Sequence, residues 1–183
     1  MFQFTQSVQF VSEPGEQGAD TAPMRVSNQK IAEVLFNIAT LLDMQQANPY
    51  RILAYRSAAR NVLAQPEPVA GTIARGEQLN IPGVGERLRR KITELITTGR
   101  MTFYDDLCEA SLPDDVRDLM RVAHVGPRTA LRLSGQFDIH NVTQLLDVAT
   151  NHKLRGAYGF GPRSEERLAE GARALLAHQP HAA

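Results

Sequence analysis

One short pattern occurs three times and constrains the chain more than any other feature. Ile81-Pro82-Gly83-Val84-Gly85-Glu86-Arg87 is followed by Val122-Ala123-His124-Val125-Gly126-Pro127-Arg128, then by Ala157-Tyr158-Gly159-Phe160-Gly161-Pro162-Arg163. Each copy has an apolar residue, a tight turn ending in glycine, and an arginine in the first turn of the helix that follows. The closing glycines Gly85, Gly126 and Gly161 lie 41 and 35 residues apart, and an apolar residue (Ile92, Leu133, Leu168) falls seven positions after each. The repeat is therefore one of structure and not only of turn chemistry. Such a turn aims a helix N-terminus and its free N–H groups at an anion. Three of them predict a surface that holds a phosphate chain, and therefore nucleic acid.

Charge argues against this at first sight, because 20 Lys and Arg balance 20 Asp and Glu. The charges are unevenly placed. Residues 1–50 carry net −3, residues 51–100 net +5, residues 101–150 net −4 and residues 151–183 net +2. A phosphate backbone meets the local field and not the total. The single cysteine, Cys108, excludes an internal disulfide framework and a cysteine-rich zinc site, and reads as a small buried or half-buried thiol. His140, His152, His178 and His181 have no metal-ligand spacing. No stretch has the length and apolarity of a membrane span, and no basic start leads into an apolar signal segment, so a soluble intracellular chain is expected.

The spacing predicts helices throughout and no strand, hence an all-α fold. Residues 1–26, with Pro14, Gly15, Gly18 and Pro23, read as a flexible tail. Ser27 caps a first helix whose inner face is Ile31, Val34, Leu35, Ile38, Leu41 and Leu42. Asn48-Pro49 opens a second, to about Ala64, with Ile52, Ala59, Val62 and Leu63 inward. A short helix near 69–75 precedes the first turn, which feeds a helix over 86–97 that Gly99 ends. Further helices are expected near 102–110, after Pro113, over 127–134, after Asn141, near 151–156, and from Pro162 to about His178. Residues 27–100 and 101–178 are expected to form two helical subdomains, and 179–183 to fray.

These residues resemble a known family. Asn48-Pro49-Tyr50-Arg51, Ala54-Tyr55-Arg56, Ala58-Ala59, Ile81-Pro82-Gly83-Val84-Gly85, Lys91-Ile92 and Thr98-Gly99 are similar to the amino-terminal domain of the family X, beta-like, DNA polymerases. Leu119 through Leu176, with its Gly159–Pro162 turn, resembles the next helical subdomain of bacterial members. The resemblance covers about residues 27–176. It implies tandem helix-hairpin-helix repeats and a cytoplasmic, nucleoid-associated protein. Nothing in the chain resembles the family's catalytic palm, with its Gly-Ser nucleotide site and three metal-binding aspartates, so no polymerase activity is expected. The resemblance also implies DNA contacts at Arg51, Gly83, Val84, Gly85, Arg87, Arg90, Lys91, Gly126, Arg128, Gly159, Gly161 and Arg163. It implies no cofactor beyond a monovalent cation, Na or K, on backbone carbonyls of the turns.

The family's first domain can carry a 5′-deoxyribose-phosphate lyase. Its Schiff-base lysine lies eight residues past the second position of the Pro-Gly-x-Gly turn, which here is Lys91. Arg51 and Arg87 match two phosphate-binding lysines of the family, and Tyr55 matches a tyrosine of the lyase site. The chain departs from that pattern at Leu79 and Phe103, near positions that are basic in the best-known lyases.

Each feature has a plainer reading. The glycines also serve as tight turns between packed helices. The run Arg87, Arg89, Arg90, Lys91 also suits a solvated helix face, yet arginines in first turns oppose the helix dipole, which favours phosphate contact. Glu86 is expected to compete for the first turn's amides. His124 stands where glycine is usual, so the second turn is expected to be altered or crowded. Lys91 needs a neutral amine, against an ordinary pKa of about 10.4. Arg87 and Arg90 are expected to disfavour its charge, and Glu94 to favour it. Tyr50 and Tyr55 suit base stacking or packing alike.

Three functions follow. The first is a non-enzymatic, non-sequence-specific DNA-binding module for gapped, nicked or damaged duplex, working beside a separate repair polymerase, nuclease or ligase. The second is a metal-independent deoxyribose-phosphate or abasic-site lyase using Lys91. The third is a protein-interaction scaffold that has lost DNA contact.

Overall fold

The structure, a computed structural model, describes residues 26–178; the tail at 1–25, the terminus at 179–183 and His181 lie outside the described residues. Nine helices and no strand occur among the described residues: α1 (Asn28–Met44), α2 (Pro49–Leu63), α3 (Val69–Ala74), α4 (Glu86–Thr98), α5 (Thr102–Ser111), α6 (Asp114–Leu119), α7 (Pro127–Phe137), α8 (Val142–Thr150) and α9 (Pro162–Ala177). None is long and apolar enough to cross a membrane.

Local chemistry sets the boundaries. Ser27 Oγ accepts the Lys30 amide at 3.1 Å and starts α1. Asn48 Oδ1 accepts the Tyr50 amide at 2.9 Å, with Pro49 pre-set for the first turn of α2. Asn141 Oδ1 accepts the Gln144 amide and starts α8. Gly99, at φ 74°, ends α4 in the left-handed conformation that glycine adopts without steric cost. α7 runs three residues past the expected end at 134, because Asp138, at φ 55°, supplies its left-handed stop.

The core is continuous. Ile31, Val34, Leu35, Ile38, Leu41 and Leu42 of α1 join one buried cluster that extends to Leu168 and Ala172 of α9. α1 packs on α2, α5 and α7, so it touches elements of both halves of the sequence. Val26, expected in the tail, packs against this core.

Two expectations are corrected. Leu63 is exposed on the last turn of α2 and does not face inward. The short helix near 151–156 is absent, and the segment is a series of turns and bends. The cause is Glu165 of α9, whose side chain is 1% exposed. Its Oε1 accepts the amides of Leu154 at 2.9 Å and Arg155 at 3.2 Å, and its Oε2 accepts Arg155 Nε at 2.7 Å. These amides point across to a carboxylate and not along a helix.

Candidate nucleic-acid interface

The three turns share one backbone. Gly83, His124 and Gly159 have φ of 73°, 67° and 80°. Gly85, Gly126 and Gly161 are extended N-caps of α4, α7 and α9, with φ of −73°, −90° and −92°. The residue between is buried each time (Val84, Val125, Phe160). Its amide donates to the carbonyl three residues back, at Ile81, Val122 and Ala157, over 3.1, 3.1 and 3.0 Å. His124 therefore leaves the turn unaltered, contrary to expectation. Histidine is among the side chains that enter the left-handed region more readily than most, at a cost of about 1–2 kcal/mol.

Each turn is braced differently. Asn61 Nδ2 donates to the Pro82 carbonyl at 2.7 Å. Gly126 lies against Asn37, where a Cβ would sit 3.0 Å from Oδ1, and Asn37 Nδ2 donates to the Tyr104 hydroxyl at 3.1 Å. Arg132 of α7 crosses to the third turn, donates to the Tyr158 carbonyl, and lies 4.6 Å over the Phe160 ring. Around Gly85 and Gly161, in contrast, a Cβ would meet nothing within 4 Å. These two N-caps face open space.

A glycine N-cap has no side chain to cover the first amides of its helix, so those donors stay available to an anion. At the third turn the Gly161 amide itself is taken by Ser164 Oγ at 3.1 Å. Arg87 and Arg163 are exposed and have no ion-pair partner among the described residues. Glu86 does not act as expected, because its carboxylate engages Arg89 at 3.1 Å and Arg90 at 3.8 Å. Arg128 lies 2.5 Å from Asp43 Oδ2, which also accepts Arg56 at 3.3 Å. Of the acids after the third turn, Glu165 is buried and engaged internally.

Around Lys91 four side chains converge from three helices. Arg51 and Tyr55 come from α2, Lys91 from α4 and Phe103 from α5. Lys91 Nζ lies 3.3 Å from the Phe103 ring centroid and Arg51 Cζ lies 5.2 Å from it. The Tyr55 ring stacks on Phe103 at 6.0 Å with 9° between planes. Burial holds the Lys91 pKa below its ordinary value, and Arg51 adds to this, while Glu94 and Asp106 act oppositely. The cation beside Lys91 is thus Arg51, and not Arg87 or Arg90 as expected. Phe103 also favours the ammonium form, since an aromatic face attracts a cation. Glu94 is held by the Thr102 amide at 2.9 Å and hydroxyl at 2.5 Å. Burial pushes the Tyr55 phenol up, with Arg51 opposing it. Leu79 is buried in the core, and burial likewise pushes the Cys108 thiol up.

Tyr55 therefore packs, and Tyr50 does not: it is 83% exposed in the first turn of α2. Tyr158, at the third turn, is 96% exposed. Sequence reasoning passed over Tyr158, although aligning the repeats places it opposite Pro82 and Ala123.

Residues 26–101 match the family model described as "Helix-hairpin-helix domain", and residues 116–174 match "SAM-like Helix-hairpin-helix tandem". The chain is 24% identical over 138 residues to the DNA polymerase/3'-5' exonuclease PolX of Bacillus subtilis. The aligned part covers 75% of this chain and 24% of that protein, so the chain spans about a quarter of the relative it matches. Two tandem helix-hairpin-helix segments in an all-α fold are thus common to the sequence reading, the structure and the family models.

Proposed function

We propose that this chain holds DNA by its backbone phosphates, without reading base sequence, and favours gapped, nicked or damaged duplex in repair. The observation that carries this is the set of three turns with one backbone, each presenting a helix whose N-cap is an uncovering glycine. Amides and arginines recognise charge and not base edges, so the contacts fix position and leave sequence unread. The first turn dominates: Gly85 is open, Arg87 has no ion-pair partner among the described residues, and Lys91, Arg51 and the exposed Arg90, which Glu86 engages at 3.8 Å, stand nearby in sequence or space. The third assists through Arg163 and the first-turn amides of α9 that Gly161 leaves uncovered. The second contributes least, since Arg128 is engaged with Asp43. A repair polymerase, nuclease or ligase acting on the same interruption is the partner this role calls for.

Binding to intact and gapped duplex at increasing salt tests the proposal. Affinity should fall with salt, with a log–log slope between about −3 and −4.5 for about three to five neutralised phosphates. Reversing Arg87 and Arg90 to glutamate should weaken binding at least about tenfold on unrelated sequences, and Arg128→Glu should weaken it less. Salt-independent binding, or a larger loss from Arg128→Glu in folded protein, refutes this placement. Folded protein that binds no DNA leaves the protein-interaction scaffold as the reading.

A second reading rests on the depressed pKa and partial burial of Lys91 beside Arg51. A neutral Lys91 amine would attack C1′ of a ring-opened deoxyribose and lose water to form an imine. Removal of a C2′ proton would then break the C3′–oxygen bond and expel the 3′ phosphate. Hydrolysis of the imine would return the amine. Tyr55 and Arg51 would line this site, Arg51 as the phosphate contact. Borohydride should trap the protein on incised abasic DNA, and Lys91→Ala should abolish the adduct. Absence of an adduct with folded, DNA-binding protein removes the lyase and leaves the binding role.

A further inference from the structure

Tyr158 occupies an unusual place for an aromatic side chain. It is 96% exposed, whereas tyrosines ordinarily bury much of the ring. The backbone beneath it is nonetheless fixed from three sides. Arg132 donates to its carbonyl, and Gly159 follows at φ 80°. Phe160 is buried and packs edge-on against Phe137 at 5.6 Å. With the backbone fixed, only the two side-chain torsions of the ring are left to be ordered when it meets a ligand.

Its surroundings select the ligand. Within residues 153–163 there is no acid; Lys153 and Arg163 are exposed and in no ion pair among the described residues, while Arg155 is held by Glu165. Tyr158 is the one exposed large apolar side chain of that segment, too little for an apolar protein partner, whereas a polyanion with flat rings would find both charge and a face. The equivalent positions of the other turns, Pro82 and Ala123, carry no ring. Tyr158 thus adds to the third turn a capacity that the first and second lack.

We propose that Tyr158 stacks on an unpaired base of gapped or frayed DNA while the third turn holds the neighbouring phosphate. The inference rests on the reading of that turn as a phosphate contact and adds the unpaired base as a second recognised group. Aromatic faces beside a basic surface are how single-stranded nucleic acid is held without regard to sequence, because every base has a π-face. Intact duplex offers no free base, so Tyr158 contributes to the gapped substrate alone.

The test uses the full chain and a duplex whose gap contains one fluorescent purine analogue, quenched when stacked. The wild-type protein should quench it and bind gapped DNA more tightly than intact duplex. Tyr158→Ala should lose the quenching and about tenfold in affinity for gapped DNA, with affinity for intact duplex unchanged. Tyr158→Phe, which keeps the ring, should keep both. Retained quenching in Tyr158→Ala, or an equal loss on gapped and intact DNA, overturns the stacking role. A wild-type chain that binds neither DNA instead overturns the phosphate reading beneath it.

Discussion

Gly83 and Gly85 stand two residues apart and owe their identity to different causes. Gly83, at φ 73°, is required by the backbone. Gly83→Ala should lower stability by about 1–2 kcal/mol, measured by denaturant unfolding. Gly85 has an ordinary φ of −73° and open space where a Cβ would stand. Gly85→Ala should therefore leave stability within about 1 kcal/mol of the parent. It should still weaken DNA binding about tenfold, because the methyl group stands between the amides and an approaching phosphate. If Gly85→Ala binds DNA normally, the first turn joins helices and does no more. Counting from the turn was enough to single out Lys91, since both lie on one local element. Its electrostatic neighbours were not legible in the same way. Arg51 and Phe103 are 40 residues before it and 12 after it, and only packing of α2, α4 and α5 brings them together.

At the scale of elements, caps and apolar periods were readable because they act within one or two turns of helix. Ser27, Asn48, Gly99 and Asn141 end or begin helices by contacts with immediate neighbours. The segment 151–156 was misread because its amides are claimed by Glu165, 10 and 11 residues away. Burial pushes the Glu165 carboxyl pKa up, but the bonds from Arg155 and from the Leu154 and Arg155 amides outweigh it, and the net shift is downward. A carboxyl depressed in the folded state stabilises fully above its unfolded pKa, about 4.3 for glutamate, and that stability is lost as pH falls through the folded value. Glu165→Gln should cost about 2–4 kcal/mol at neutral pH, where charge-assisted bonds to a buried group are lost. The difference from the parent should shrink in acid. Equal unfolding midpoints for variant and parent at neutral pH would show that the loop is held by something else.

At the scale of the whole molecule, Asp43 of α1 gathers Arg56 of α2 and Arg128 of α7 onto one oxygen. All three side chains are substantially exposed, so the stabilisation is small, about 0–1 kcal/mol. Its effect on charge is larger. Asp43→Asn removes one negative charge and frees two guanidinium groups. The variant should melt near the parent temperature, bind DNA a few-fold more tightly, and show a steeper salt dependence. Unchanged affinity would place the second turn off the DNA path altogether. The net charge of zero, read from composition, gave no hint of this local cancellation, which depends on residues 85 positions apart.

The continuous core has a mechanical consequence. Turns built on one packed body cannot adjust their spacing, so if all three seat on one duplex, any curvature that this requires falls on the nucleic acid. Smoothly bending an uninterrupted site of 20–30 base pairs by 40–90° costs about 1–6 kcal/mol, whereas a strand break acts as a hinge that relieves most of it. On the proposed function, selectivity for interrupted duplex then follows from stiffness alone, with the protein serving as a fixed template and the break supplying the compliance.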